Sequence, residues 1–270
     1  MDYNNLPPSV DSLVAILQKL RAPDGCPWDR EQTMDTLARC MTEELAEYLD
    51  ALAARDVPAM CDELGDLLMN VVFQAVVAEE QGDFTLKDTL QNLNAKLIRR
   101  HAHIFGDERA ENAADVVAIW EKVKAREADH QARKSLMDGI PAELSSLNRA
   151  EKIQKKAAKV HFDWTCEADI VAKLEEEIAE YKQAVAEGDQ DHADEELGDI
   201  LFAVTNLTRF RKRKTAEELL RAANEKFMRR FRYIESELEK RNIPLETAGI
   251  DLMESLWQEA KGLEITFECT

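Results

Sequence analysis

Apolar residues along this chain recur at helical spacing and nowhere alternate for long. Leu13, Ile16, Leu17 and Leu20 keep a period near that of an α-helix, and Leu64, Leu67, Leu68, Val71, Val72 and Ala75 do so again. No segment sustains the period-two alternation of a strand, so the pattern predicts helix nearly throughout. Punctuation is sparse. Pro23-Asp24-Gly25-Cys26-Pro27 ends the first helix, Val57-Pro58 and Glu187-Gly188-Asp189 interrupt two acidic helical stretches, and Gly139-Ile140-Pro141 marks a linker. The polar stretch from Arg126 to Lys134 is expected to prolong a helix into that linker.

An acidic pattern occurs twice in one register. Glu43-Glu44-x-x-Glu47 precedes Glu63-Leu64-Gly65-Asp66, and Glu176-Glu177-x-x-Glu180 precedes Glu196-Leu197-Gly198-Asp199, each acid 133 positions after its counterpart. With 54 Asp and Glu among 270 residues, an isolated Glu-Glu-x-x-Glu match arises by chance about twice per chain. Chance does not supply the shared spacing, the repeated Glu-Leu-Gly-Asp, or the apolar run after each copy. Asn94 to Arg100 matches Asn224 to Arg230, Trp120 to Lys124 matches Trp257 to Lys261, and Trp28 matches Trp164. An internal duplication is the simplest account: an all-α chain of two domains, 1–135 and 136–270, each of four to five helices.

A net charge of −19 disfavours nonspecific binding to nucleic acid or an anionic membrane. The longest mainly apolar stretch, Leu67 to Ala78, is too short to span a bilayer, and no signal-like segment opens the sequence. Five cysteines without a Cys-x-x-Cys pair argue against a disulfide framework. A cytoplasmic protein is expected.

The acids become chemically informative once folded into hairpins. Residues three and four apart share a helix face, so Glu44 projects with Glu47 and Glu63 with Asp66. If the chain turns near Asp56, Glu47 and Glu63 differ in height by only about 3 Å on antiparallel helices. The same count about Asp189 joins Glu177, Glu180, Glu196 and Asp199. Four such carboxylates persist only when protonated, paired with bases or bound to a cation. All-oxygen ligation suits Mg²⁺, with Mn²⁺ as the alternative, and an open hydrated site suits phosphoryl chemistry. Gly65 and Gly198 fit, because a glycine inside a helix costs ~1 kcal/mol against alanine and usually has a packing reason. The competing readings are solvated acidic faces and a di-iron bundle. The latter needs two Glu-x-x-His pairs, and the sequence has one, Glu127 with His130.

Other groups are more ambiguous. Lys226, Arg229 and Arg230 form a basic helical cluster that could hold phosphate or merely face solvent. Trp257 offers a flat ring that could stack on a base or pack in a core. His101 and His103 point to different sides if helical. The run Arg209 to Lys214 could suggest nucleic acid, but it follows the acidic helix, where cations at a C-terminus are favourable.

These residues resemble the tandem bacterial form of the MazG-type nucleoside triphosphate pyrophosphohydrolases. The motifs that carry the likeness are Gly25-Cys26-Pro27-Trp28-Asp29, both acidic sets, Arg99 to Phe105, Lys152-Ile153-Gln154-Lys155, Phe162-Asp163-Trp164, Asn224 to Phe231 and Trp257. The resemblance implies an all-α dimer in which helices of two subunits complete each bundle. It also implies Mg²⁺-dependent hydrolysis of a nucleoside triphosphate to monophosphate and pyrophosphate. By motif, Glu177, Glu180, Glu196 and Asp199 would hold metal, with Glu44, Glu47, Glu63 and Asp66 as a weaker second set. Glu176 or Glu177 would orient or deprotonate water. Lys173, Glu176, Glu195, Asp199, Asn224, Lys226, Arg229, Arg230, Trp257 and Lys261 would contact nucleotide. The expected role is clearing or regulating nucleotide pools with broad base tolerance; the alternatives are a narrower enzyme for dUTP or phosphoribosyl-ATP, and a non-hydrolysing nucleotide sensor.

Departures from the family pattern are local. Ala102 replaces a usual proline, His161 a usual glycine, and Ala222 a usual lysine. Ala95 stands where the second half has Glu225, which leads to the expectation that the first half turns over poorly.

Overall fold

The computed structural model describes residues 3–127 and 134–268. Contacts divide the chain into two compact units, Met1–Gln131 and Ala132–Thr270. The first holds α1 (Val10–Arg21), α2 (Pro27–Glu31), α3 (Met34–Ala54), α4 (Val57–Gln81), α5 (Leu86–Arg100), α6 (Ala102–Phe105) and α7 (Ala113–Ala125). The second holds α8 (Ser146–Ala158), α9 (Glu167–Glu187), α10 (Gln190–Arg211), α11 (Ala216–Lys240) and α12 (Ile250–Glu268). Among the described residues every regular element is helical, and no helix is long and apolar enough to cross a membrane. The four described cysteines are free. His130, and most of the segment expected to prolong a helix after Arg126, lie outside the described residues.

Each acidic set sits on a helical hairpin whose turn is built the same way. Helix α3 ends at Arg55 in the left-handed region (φ 56°), and α9 ends at Gly188 (φ 77°). The next residue then caps the following helix: Asp56 accepts from the Ala59 N–H at 3.2 Å, and Asp189 from the His192 N–H at 3.1 Å. An aspartate there satisfies a backbone donor that a helix start leaves unpaired, and its charge suits the positive end of the helix dipole. Pro58 falls in the first turn of α4, where no intrahelical N–H is needed. Short left-handed turns between well-capped helices force α3 against α4 and α9 against α10, which sets the height match of the acids.

In the first unit Leu17 of α1, Leu37 of α3 and Val72, Phe73, Val76 and Val77 of α4 form one buried cluster. Burial of each such side chain contributes about 1.5–3 kcal/mol. Gly25 shapes the turn after α1, because a Cβ there would stand 2.1 Å from the Leu20 carbonyl oxygen. In the second unit Ile234 and Leu238 of α11 pack on Leu256 of α12.

Other apolar positions remain uncovered. Leu64, Leu68 and Val71 on α4, and Leu197, Leu201 and Val204 on α10, are all exposed, Leu201 by 61%. Each trio follows i, i+4, i+7 spacing and therefore lies along one face. Gly65 and Gly198 adjoin these trios, and a Cβ on either would meet nothing within 4 Å. The packing reason expected for these glycines is therefore not found among the described residues.

The two departures at turns are accommodated. Ala102 opens the short helix α6, and His161 adopts φ 63°, a conformation that crowds an L side chain. His161→Gly is expected to raise stability by about 1 kcal/mol, read as a later midpoint in urea unfolding with an unchanged slope.

Candidate active site

The hairpins bring three carboxylates together in each unit. Oxygens of Glu177 on α9 and of Glu196 and Asp199 on α10 lie within 4.8 Å of one another, and Glu44, Glu63 and Asp66 do the same in the first unit. The expected fourth members, Glu180 and Glu47, fall outside this 4.8 Å grouping, although Glu180 engages the Glu177 carboxylate directly. Both adjoin it, since Glu180 acts on Glu177 and Glu196, and Glu47 on Glu44 and Glu63.

The two clusters differ in how their charge is balanced. Lys173, one turn before Glu177, places its Nζ 2.9 Å from Glu177 and 2.8 Å from Glu176. This hydrogen bond is the main reason that the Glu177 carboxyl titrates below its ordinary value, and the lysine is raised in turn, first by Glu176 and then by Glu177. Glu196 moves the opposite way, pushed up by burial first and then by its hydrogen bond with Glu177. One Glu196 oxygen, Oε1, lies 2.9 Å from His192 Nε2. The other, Oε2, is buried and has no hydrogen-bond partner among the described residues.

In the first unit the 133-residue register puts Cys40 where Lys173 stands. Lacking that cation, Glu44 is raised by burial and then by Asp66, Glu47 and Glu63, and Glu63 by burial and then by Glu47. The basic pair of this half is already engaged. Arg100 Nη2 lies 2.5 Å and Arg99 Nη2 2.7 Å from Glu127, whose carboxyl is drawn down to about 2 by Arg100 first and Arg99 second.

Other expected nucleotide contacts are dispersed. A pocket of about 210 Å³ beside the second cluster is lined by Lys173, Glu177 and Asp199 with Phe162, Trp164 and Asn206 among others, and, among the described residues, by none of α11 or α12. Glu176 and Glu195 are exposed, as are Asn224, Lys226 and Arg229 on α11 and Lys261 on α12. Trp257 packs on Phe227, ring centroids 5.1 Å apart, with the Arg230 guanidinium 5.3 Å from its centre. Within one chain Trp257 is thus a packing residue rather than a ring on the acidic pocket, because α12 docks on the apolar face of α11. His101 and His103, expected on different sides, come within 5.7 Å because the helix breaks at His101.

Sequence reasoning missed His192 and Asn206. The first was legible as an i, i+4 partner of Glu196; the second becomes visible only once α8 and α10 are seen to pack together.

A duplicated all-α fold whose hairpins each converge two buried or half-buried glutamates with one exposed aspartate fits a helical, carboxylate-centred hydrolase. The model of the MazG nucleotide pyrophosphohydrolase domain matches the chain twice, over residues 32–105 and 167–234. The chain is 46% identical over 259 residues to a nucleoside triphosphate pyrophosphohydrolase of Escherichia coli K12, covering 95% of this chain and 98% of that protein. It is 39% identical over 252 residues to the nucleoside triphosphate pyrophosphohydrolase/pyrophosphatase MazG of Thermotoga maritima, covering 93% and 95%. The chain belongs to the MazG nucleotide pyrophosphohydrolase family, in a form with two copies of the domain.

Proposed function

We propose that the chain hydrolyses nucleoside triphosphates to monophosphate and pyrophosphate at the C-terminal cluster, with Mg²⁺ held by Glu177, Glu196 and Asp199 and joined by Glu180. The observation that carries this reading is the unpartnered, buried Glu196 Oε2 beside two further carboxylates, a donor set suited to a hard divalent cation. Bound there, Mg²⁺ or Mn²⁺ would screen the triphosphate charge and lower the pKa of a coordinated water. The protein's own part is to hold Glu177 ionised through Lys173 and to keep Glu176 beside it, able to orient or deprotonate water. In the dimer of this reading, Lys226, Arg229 and Arg230 of a second copy would supply charge for the departing pyrophosphate.

Duplicated domains 1–135 and 136–270, broad base tolerance, a nucleotide-pool role in the cytoplasm and a homodimer belong to the same reading. The dimer is supported by the uncovered faces with their adjoining glycines, which leave a second helix free to approach. The first cluster, without a lysine and with Ala95 in place of Glu225, is the weaker site.

Incubation with ATP and Mg²⁺ is expected to yield AMP and pyrophosphate in equal amounts, and none after EDTA. ADP and phosphate would contradict the reaction assigned. Activity on a single triphosphate would favour a narrower enzyme, and binding without pyrophosphate release a sensor.

A further inference from the structure

We propose that the recess beside the C-terminal acid cluster is a nucleobase pocket read by Gln154 and Asn206, which rests on the reading of the substrate as a nucleoside triphosphate. Two cavities of about 210 and 400 Å³ share Phe162, Trp164, Phe202 and Asn206. The smaller reaches Lys173, Glu177 and Asp199; the larger is also lined by Gln154. Triphosphate at the acids would direct its base toward a recess walled by three rings, one of which, Phe162, is 82% exposed. A planar heterocycle matches such walls.

The polar groups in the recess are fixed. Gln154, only 5% exposed on α8, donates from Nε2 to the Phe202 carbonyl at 2.8 Å. A carbonyl only accepts, so this bond settles which end of the amide is nitrogen. Gln154 Oε1 is then a buried acceptor, and among the described residues it has no hydrogen-bond partner, a state that is costly unless a ligand supplies the donor. Asn206 Oδ1 accepts from Arg209 Nε at 3.0 Å and Nη2 at 2.6 Å, and Arg209 Nη1 is held by Asp163 at 3.1 Å. Its Nδ2 is thereby the edge left to donate. One acceptor and one donor suit the Watson–Crick edge of any base, since each carries both kinds of group. A recess of this kind recognises a base without selecting one strongly.

The duplication supplies an internal control. Phe202 and Asn206 correspond in the 133-residue register to Met69 and Phe73, and Phe73, 2% exposed, belongs to the closed core with Leu17 and Leu37. A position filled by hydrocarbon in one copy carries an oriented amide in the other. The motifs Lys152-Ile153-Gln154-Lys155 and Phe162-Asp163-Trp164 thereby acquire a role.

The test compares the full chain with Gln154→Met, which keeps volume, and Asn206→Phe, which installs the first copy's residue. Turnover is measured on ATP, CTP, GTP and UTP and on ribose 5-triphosphate, which lacks a base; binding of a non-hydrolysable triphosphate is followed by tryptophan fluorescence, with thermal melts confirming folding. KM and Kd for the nucleotides are expected to rise at least about tenfold, while kcat/KM for ribose 5-triphosphate stays within about twofold of the parent. Unchanged nucleotide KM and Kd in both folded variants, or an equal loss on the base-free substrate, would overturn the pocket. A parent that binds but never turns over would sink the hydrolytic reading alone, provided the variants still weaken Kd. A parent that binds no nucleotide would overturn both.

Discussion

Glu196→Gln combined with Asp199→Asn is expected to lower pyrophosphate release by at least about a thousandfold in a protein that remains folded. The amides preserve shape but remove two of three converging negative charges. Glu177 is then paired with Lys173, 2.9 Å away, which leaves Glu180 as the one uncompensated acid of the proposed set and too little negative charge to hold a divalent cation. The fold should tolerate the change. Burial, with Glu177 and Glu180 nearby, already pushes the Glu196 carboxyl up, so discharging it relieves repulsion on the α9–α10 hairpin. A continuous pyrophosphate assay with a thermal melt checks both halves of this expectation. A loss below about tenfold would remove the cluster from the mechanism.

Leu201→Glu is expected to convert the proposed dimer to monomer and to reduce turnover by at least about a hundredfold. In a single chain this side chain is 61% exposed, so the charge should hardly alter the fold. In a dimer the same residue lies at the centre of the Leu197, Leu201 and Val204 face, and burying an unpaired carboxylate there is strongly unfavourable. Activity should fall with assembly, because among the described residues the acidic pocket's own lining includes nothing from α11 or α12. A second copy is the source of basic charge that this geometry favours. Sedimentation velocity beside the activity assay decides the matter: a variant still dimeric and fully active would show that the face is not the interface.

The hairpins were legible because their determinants are local. Arg55 with Asp56, and Gly188 with Asp189, turn the chain and cap the next helix within two residues, so symmetric counting about those turns located the carboxylates. Periodicity was less informative about what covers a face. Of the six positions read as one helical face, Leu64, Leu67, Leu68, Val71, Val72 and Ala75, Val72 and Ala75 are buried while Leu64, Leu68 and Val71 face outward, since α4 is apolar over a wider arc than its neighbours in the chain cover. Trp257 was undecidable from spacing, because stacking on a base and packing on Phe227 ask for the same ring. Gln154 was visible as part of a motif, but its meaning lies in the Phe202 carbonyl on another helix, which no local pattern encodes.

The most direct test of the central claim, that the C-terminal cluster is the main engine, is pyrophosphate release by Glu63→Gln with Asp66→Asn. This pair mirrors the C-terminal exchange in the half where Cys40 holds the register position of Lys173. The variant is expected to retain at least about half of the parent's kcat/KM; a loss as deep as that from Glu196→Gln with Asp199→Asn would contradict the account and establish two working sites.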